Sequence, residues 1–144
     1  MFYGNSTQDT RQLFFSSWQK YRQNLLLSPL EKQIADVIVD HPEYHALLEA
    51  VIPHQDQAWF PELGQTNPFL HMGLHLAIRD QVTTDRPAGM AGIYKELTLK
   101  YVDKMAVEHL LIEPLAECLW QAQRNQGMVD ESGYLAACKK LLTA

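Results

Sequence analysis

The sequence is poor in cysteine, with only Cys118 and Cys138 among its 144 residues. They lack the C-x-x-C spacing, and two in this length fall far below the density of a disulfide-stabilised secreted domain. No apolar run approaches the roughly 20 residues that span a bilayer. The polar first ten residues contain neither the basic start nor the apolar stretch of a signal peptide. These absences predict a cytoplasmic protein with no membrane partner.

Positive charge is also scarce. The 12 Lys and Arg residues are outnumbered by 17 Asp and Glu residues, which gives a formal net charge of −5. This balance provides no strong field to attract a phosphate backbone, so no nucleic-acid partner is expected. The sequence has no P-loop, no G-x-G-x-x-G and no G-x-S-x-G. The common nucleotide-binding loops and the nucleophile of α/β-hydrolases are thereby excluded.

The sequence does contain the hydrophobic periodicity of helices. Hydrophobic residues make up 47% of the chain and charged residues 20%, as in an ordinary globular protein. Apolar side chains recur at spacings of three, four and seven, which favours amphipathic helices. The length lies in the range of one compact domain. We therefore predict an all-α protein, a single domain over residues 1–144 that forms a bundle of about six or seven helices.

Capping residues and prolines divide the chain into predicted helices. Ser28, Pro29 and Glu31 combine an N-cap, a proline at the first helical position and a capping box. Asn67, Asp103 and Asp130 are further N-cap candidates, and Pro114 is expected to bend its helix. The predicted helices span residues 8–27, a segment starting at 29, 42–52, 69 to about 82, 88–101, about 104–124 and a short segment after 130, with an irregular stretch over 54–66.

Several histidines lie four residues from another metal-ligand side chain, so each pair shares one helix face. The pairs are His71 with His75, His45 with Glu49 and His109 with Glu113, and His41 lies just before the second pair. Inward-facing imidazoles and carboxylates from different helices build transition-metal sites in helical bundles. H-x-x-x-H is a loose pattern, and Met72 stands where the H-E-x-x-H motif needs glutamate, which excludes a zincin metalloprotease.

Glu108 is the unusual carboxylate of the long predicted helix. At about 100° per residue, it falls within the apolar arc beside Ile112 and Leu115. An unpaired carboxylate in that position is costly, so we expect a partner. The alternatives are a histidine, an arginine such as Arg79, a metal, or a proton retained through a raised pKa. His109 lies on the same helix, but Cys118 is nine residues further on, nearly on the opposite face, which excludes a Cys-His dyad from this pair.

A family resemblance covers the same positions. It rests on His41-Pro42-Glu43-Tyr44-His45, Phe60-Pro61-Glu62, Gly64-Gln65-Thr66-Asn67-Pro68-Phe69-Leu70-His71, His75-Leu76-Ala77-Ile78-Arg79, Glu108-His109 and Leu119-Trp120-Gln121-Ala122-Gln123-Arg124. On these motifs the chain resembles, over nearly its whole length, a family of short bacterial proteins known as domain of unknown function 1841. The resemblance implies no activity, and it adds Glu62 to the candidate residues.

Two hypotheses of function stay open. In the first, a buried polar centre binds a divalent transition metal, namely iron, zinc or manganese, and Glu108 is a ligand or an internal base. The candidate metal residues are His45, His71, His75, His109, Glu108 and Glu62. In the second, the same residues form a structural hydrogen-bond network in a non-catalytic interaction module. That module would be a homo-oligomer, or would dock a partner protein on the aromatic surface of helix one or on the central irregular segment. A metal site requires three or more side chains to converge on one point, whereas a network requires only pairs.

Overall fold

The computed structural model of the chain describes residues 7–50 and 67–144. These ranges contain no β-strand, and none of their helices is long and apolar enough to cross a bilayer. The all-α prediction is therefore confirmed. The α-helices are α1 (Thr7–Arg22), α2 (Pro29–Val39), α3 (His45–Leu48), α4 (Pro68–Thr84), α5 (Met90–Tyr101), α6 (Lys104–Arg124) and α7 (Glu131–Lys140), with 3-10 turns at Pro42–Tyr44 and Leu141–Thr143.

The predicted N-caps are confirmed. The Ser28 hydroxyl accepts a hydrogen bond from the Glu31 amide at 3.2 Å, and the Glu31 carboxylate accepts one from the Ser28 amide at 2.8 Å. Together they complete the capping box of α2. Side-chain oxygens of Asn67, Asp103 and Asp130 accept from first-turn amides of α4, α6 and α7 in the same way.

Helix α1 ends five residues earlier than the apolar spacing predicts. It stops at Arg22, and Asn24 adopts the left-handed conformation with φ of +57°. The Leu25 amide donates to the carbonyl of Lys20 at 2.9 Å, and the Asn24 amide donates to the carbonyl of Tyr21 at 3.1 Å. This pattern is a Schellman motif, which satisfies the last carbonyls and turns the chain away from the helix axis.

The third predicted helix, over residues 42–52, is only partly continuous. The 3-10 turn Pro42–Tyr44 comes first, and the single-turn helix α3 (His45–Leu48) follows it. Residues 51 and 52 and the predicted irregular segment 54–66 lie outside the described residues. The remaining boundaries agree with prediction to within two residues, and Pro114 lies inside α6.

The chain divides into two compact units, Met1–Leu76 and Ala77–Ala144, and α4 contributes residues to both. One domain over residues 1–144 therefore stays a prediction. In the first unit, the aromatic stripe of α1 is mostly core, because Phe14 and Trp18 are buried. Tyr21 is half-exposed and stacks on Trp18. The cluster that surrounds them comprises Phe15, Ile34, Val37, Ile38, Leu48, Phe69, Met72 and Leu76.

In the second unit, α6 contacts both α5 and α7. The Tyr134 hydroxyl of α7 donates a hydrogen bond to the side-chain oxygen of Gln81 in the last part of α4. The buried side chains of this unit include Ile78, Met90, Ile93, Leu97, Val107, Leu111, Leu115, Tyr134 and Cys138. Their spacing on each helix is the apolar periodicity from which the helices are predicted.

Candidate metal centre

Two of the predicted histidines face each other on α4. His71 and His75 lie four residues apart, so their side chains occupy one face of the helix. Their Nε2 atoms are 3.2 Å apart, and their ring centroids are 4.8 Å apart. His75 is fully buried, with 0% of its surface exposed, whereas His71 in the first turn is partly exposed. The pair therefore runs from the interior of the first unit toward its surface.

A third histidine joins them from another segment. His41 follows α2 and immediately precedes the 3-10 turn that starts at Pro42. Its ring centroid lies 4.5 Å from that of His75 and 5.4 Å from that of His71. One potential ligand atom from each of the three residues lies within 4.8 Å of the other two. We call His41, His71 and His75 the three-histidine group.

The orientation of His41 is fixed by a backbone hydrogen bond. Its Nδ1 lies 2.7 Å from the carbonyl oxygen of Val37. A carbonyl can only accept, so Nδ1 donates, and the neutral ring then has its lone pair on Nε2. Only 1% of the His41 surface is exposed, and its Nε2 has no hydrogen-bond partner among the described residues. The group thus contains a buried nitrogen with an available lone pair.

Tyr44 covers the group on one side. Its ring stacks on His41, with centroids 5.8 Å apart and planes 7° apart, and meets the edge of His71 at 6.3 Å. Burial raises the pKa of the Tyr44 phenol above its ordinary value, and the charge of Glu43 raises it further. Tyr44 is therefore a neutral phenol at pH 7 and adds no negative charge.

His45, a predicted ligand, lies beside this group and outside it. Its Nε2 is 2.8 Å from the carbonyl oxygen of Ile38, to which it donates. Its ring lies 4.6 Å from the ring of Trp18. His41 and His45 thus each satisfy a carbonyl in the last turn of α2, a common use of basic side chains at a helix C-terminus.

Glu108 has the arginine partner that the sequence analysis offers as one alternative. Each of its carboxylate oxygens lies 3.1 Å from Nε of Arg79, within the second unit. Glu108 is 4% exposed, so the guanidinium compensates a nearly buried charge. Burial, followed by the Glu108 charge, raises the pKa of the neighbouring Tyr94, and Arg79 opposes this shift. Arg79 therefore supplies a countercharge to Glu108 within the second unit, and the role of Glu108 as a metal ligand stays a prediction.

The remaining candidate residues are not part of the three-histidine group. His109 is an exposed residue of α6 in the second unit. Glu62 lies outside the described residues, and its role stays a prediction. His41 is absent from the ligands predicted from the sequence, because a helical wheel relates only residues of one helix. The sequence feature that could have indicated His41 is the motif His41-Pro42-Glu43-Tyr44-His45, which carries part of the family resemblance.

A comparison with protein-family models identifies the family of this chain. The family model described as domain of unknown function (DUF1841) matches residues 6–140, nearly the whole chain. No curated protein and no solved structure matches the chain significantly. The comparisons therefore support the family resemblance and supply no activity.

Proposed function

We propose that this chain, which belongs to the family of domain of unknown function 1841, binds a divalent transition metal through His41, His71 and His75. The observation that carries the proposal is the buried Nε2 of His41, which has no hydrogen-bond partner among the described residues and lies in a group with two further imidazoles. A buried polar atom without a partner costs about 1–3 kcal/mol. A metal ion would remove this cost.

The hydrogen bond to Val37 supports this role for His41. In metal sites, a ligating histidine commonly donates its other ring N–H to a carbonyl or carboxylate, which fixes the tautomer and the ring orientation. The Nδ1 of His41 makes this bond at 2.7 Å. His41 also lies just beyond the C-terminus of α2, where the partial negative charge of the helix dipole favours a cation.

The donor set favours zinc among the candidate metals. Three imidazoles suit zinc, iron, copper and nickel, whereas manganese prefers oxygen ligands. Zinc sites with three protein ligands keep a fourth position for an exogenous group. We therefore propose Zn²⁺ as the bound ion.

The distances between the nitrogens of the three-histidine group are close to those that a tetrahedral zinc site requires. Zinc–nitrogen bonds of about 2.0–2.1 Å in a tetrahedral site set nitrogen–nitrogen separations of about 3.3 Å. The Nε2 atoms of His71 and His75 are already 3.2 Å apart. The potential ligand atoms of the three histidines lie within 4.8 Å of one another. Binding of zinc would therefore shorten the widest separation between them by roughly 1.5 Å. Small rotations of the imidazole rings can supply that movement.

The competing function is a structural hydrogen-bond network within an interaction module. The contact between His71 and His75 and the bond from His41 to Val37 favour this alternative. The buried stripe of α1 weakens it, because Phe14 and Trp18 belong to the core and are not available to dock a partner.

Zinc titration by calorimetry tests the proposal. The full-length, tag-free protein is stripped with a chelator, and the same titration is made on His71→Ala, His75→Gln and His109→Ala. We expect one zinc per wild-type chain, an affinity at least about 100-fold lower in the His71 and His75 variants, and no change in His109→Ala. Circular dichroism establishes that each variant is folded.

Two results would contradict the proposal. If the folded wild type binds no zinc, iron or manganese, the group is a structural network. Undiminished zinc binding in both the His71 and His75 variants would place any metal elsewhere in the chain.

A further inference from the structure

We infer that the metal in the three-histidine group takes a small anion, with a carboxylate as the representative class, as its fourth ligand, and that this anion enters from the side of His71. The inference rests on the proposed zinc site. It specifies the chemical class of the fourth ligand, which the three histidines do not determine.

Charge is the first reason for an anion. Neutral imidazoles bring no negative charge to a divalent cation, so the metal with three histidines carries a charge of +2. His41 and His75 are buried, and Val37, whose carbonyl accepts the hydrogen bond from His41, belongs to the apolar core of the first unit. A net double charge is costly in such a medium. An anionic fourth ligand halves that charge, whereas a neutral ligand leaves it unchanged.

The exposure of the three histidines indicates the side from which the anion enters. His41 and His75 are 1% and 0% exposed, so solvent does not reach either side chain. His71 is partly exposed. A group from solvent therefore reaches the metal past His71.

The N-terminus of α4 favours an anion on the same side. His71 is the fourth residue of α4, and helical side chains lean toward the N-terminus of their own helix. The ring of His71 is thus placed over the first turn, where the helix dipole is positive. The cation lies beside the C-terminus of α2 through His41, and the anion would lie beside the N-terminus of α4 through His71. The negative C-terminal end of α2 thus favours the cation, and the positive N-terminal end of α4 favours the anion.

This arrangement implies Lewis-acid chemistry on an acidic ligand. A divalent metal with one exchangeable position would bind a carboxylate oxygen, hold the ligand in a fixed orientation and polarise a carbonyl placed beside it. The substrate or effector of the site would then be a small molecule or a chain terminus that carries a carboxylate. Neutral amides of the same shape would bind more weakly because they leave the double charge uncompensated.

Cobalt substitution provides the test, since tetrahedral Co²⁺ reports its ligands through visible absorption. The full chain is loaded with one equivalent of Co²⁺ and titrated with acetate, and in parallel with acetamide, its neutral counterpart of similar shape. We expect a saturable spectral change with acetate and an apparent affinity at least about tenfold lower for acetamide. Equal responses to the two probes would overturn the preference for an anion.

Failure of the inference can be told apart from failure of the zinc site. If Co²⁺ binds with one-to-one stoichiometry and His71→Ala abolishes that binding, the zinc site stands. A spectrum that acetate leaves unchanged would then overturn the fourth-ligand inference alone. An acetate response that appears only in Glu62→Gln would also overturn it and would assign the fourth position to the carboxylate of Glu62. If Co²⁺ does not bind, the zinc site itself is contradicted.

Discussion

The imidazole of His41 donates its Nδ1 proton to the carbonyl oxygen of Val37, four residues earlier, across 2.7 Å. This bond uses a carbonyl in the last turn of α2, where helix geometry leaves carbonyls without intrahelical partners. It also directs Nε2 of the same ring away from the bond and leaves its lone pair available. One side chain therefore caps a helix and leaves a buried ring nitrogen for the proposed metal site.

The tautomer of His41 follows from this bond. In the metal-free protein, we expect the neutral ring to carry its proton on Nδ1 and to show Nε2 as an unprotonated nitrogen. Long-range proton–nitrogen NMR correlations of the imidazole measure this directly, and His41→Gln identifies the resonance. A protonated Nε2 would contradict the assignment of that atom as the ligand.

The ion pair between Arg79 and Glu108 stabilises the second unit. We expect Glu108→Gln to lower the free energy of unfolding by about 3 kcal/mol, at the low end for a broken buried pair because Arg79 is partly exposed. Urea unfolding at pH 7 measures the loss. Replacing both residues, as Arg79→Met with Glu108→Leu, should cost less than the sum of the single changes. If Glu108→Gln leaves the free energy of unfolding unchanged, the ion pair does not stabilise the second unit.

Val102 is the centre of a strained turn between α5 and α6. Its φ of +68° and ψ of −47°, with the Asp103 amide donating to the carbonyl of Tyr101 at 2.7 Å, define the rare positive-φ γ-turn. Val102 is 79% exposed, so no core packing holds a β-branched residue there. We expect Val102→Gly to raise the melting temperature by about 2–4 °C, equivalent to roughly 1 kcal/mol. Val129→Gly, an exposed valine without positive φ, is the control and should not stabilise the protein.

The Cys138 thiol links the stability of the second unit to alkaline pH. The pKa of Cys138 is raised from an ordinary value near 9 to about 11, chiefly by burial; the hydrogen bond with Tyr134 lowers this pKa, and the charge of a Cys118 thiolate adds to the rise. The unfolded chain therefore loses this proton at lower pH than the folded chain does. The stabilisation is complete below pH 9 and is lost as pH rises to 11. It amounts to a fall on the order of 2 kcal/mol.

Unfolding in urea at several pH values checks this expectation against Cys138→Ala. The variant is expected to be less stable at pH 7 because a cavity replaces the sulfur. Its stability should nevertheless decline less between pH 9 and pH 11 than that of the wild type. Parallel declines in the two proteins would show that Cys138 does not carry the effect. The neighbouring Tyr134, whose pKa burial also raises, would then be the group to replace.

The positions of the helices can largely be predicted from the sequence where local interactions determine them. Ser28 with Glu31, Asn67, Asp103 and Asp130 mark helix starts because an N-cap side chain bonds to amides only two or three residues ahead. The end of α1 is a different case. Its apolar spacing continues to Leu25, but the left-handed conformation of Asn24 ends the helix, a possibility that hydrophobic periodicity does not register.

Local sequence patterns are sufficient to predict that the chain is helical, where most helices begin, that His71 and His75 share a helix face, and that Glu108 needs a partner. Each of these follows from relations within a few residues of one helix. The three-dimensional structure identifies Arg79, 29 residues away along the chain, as that partner. It also brought His41, rather than His45, to the pair on α4. These contacts depend on how α2 packs against α4 and on how Arg79 contacts α6. Contacts between segments that are distant along the chain are determined by core packing and not by helical periodicity.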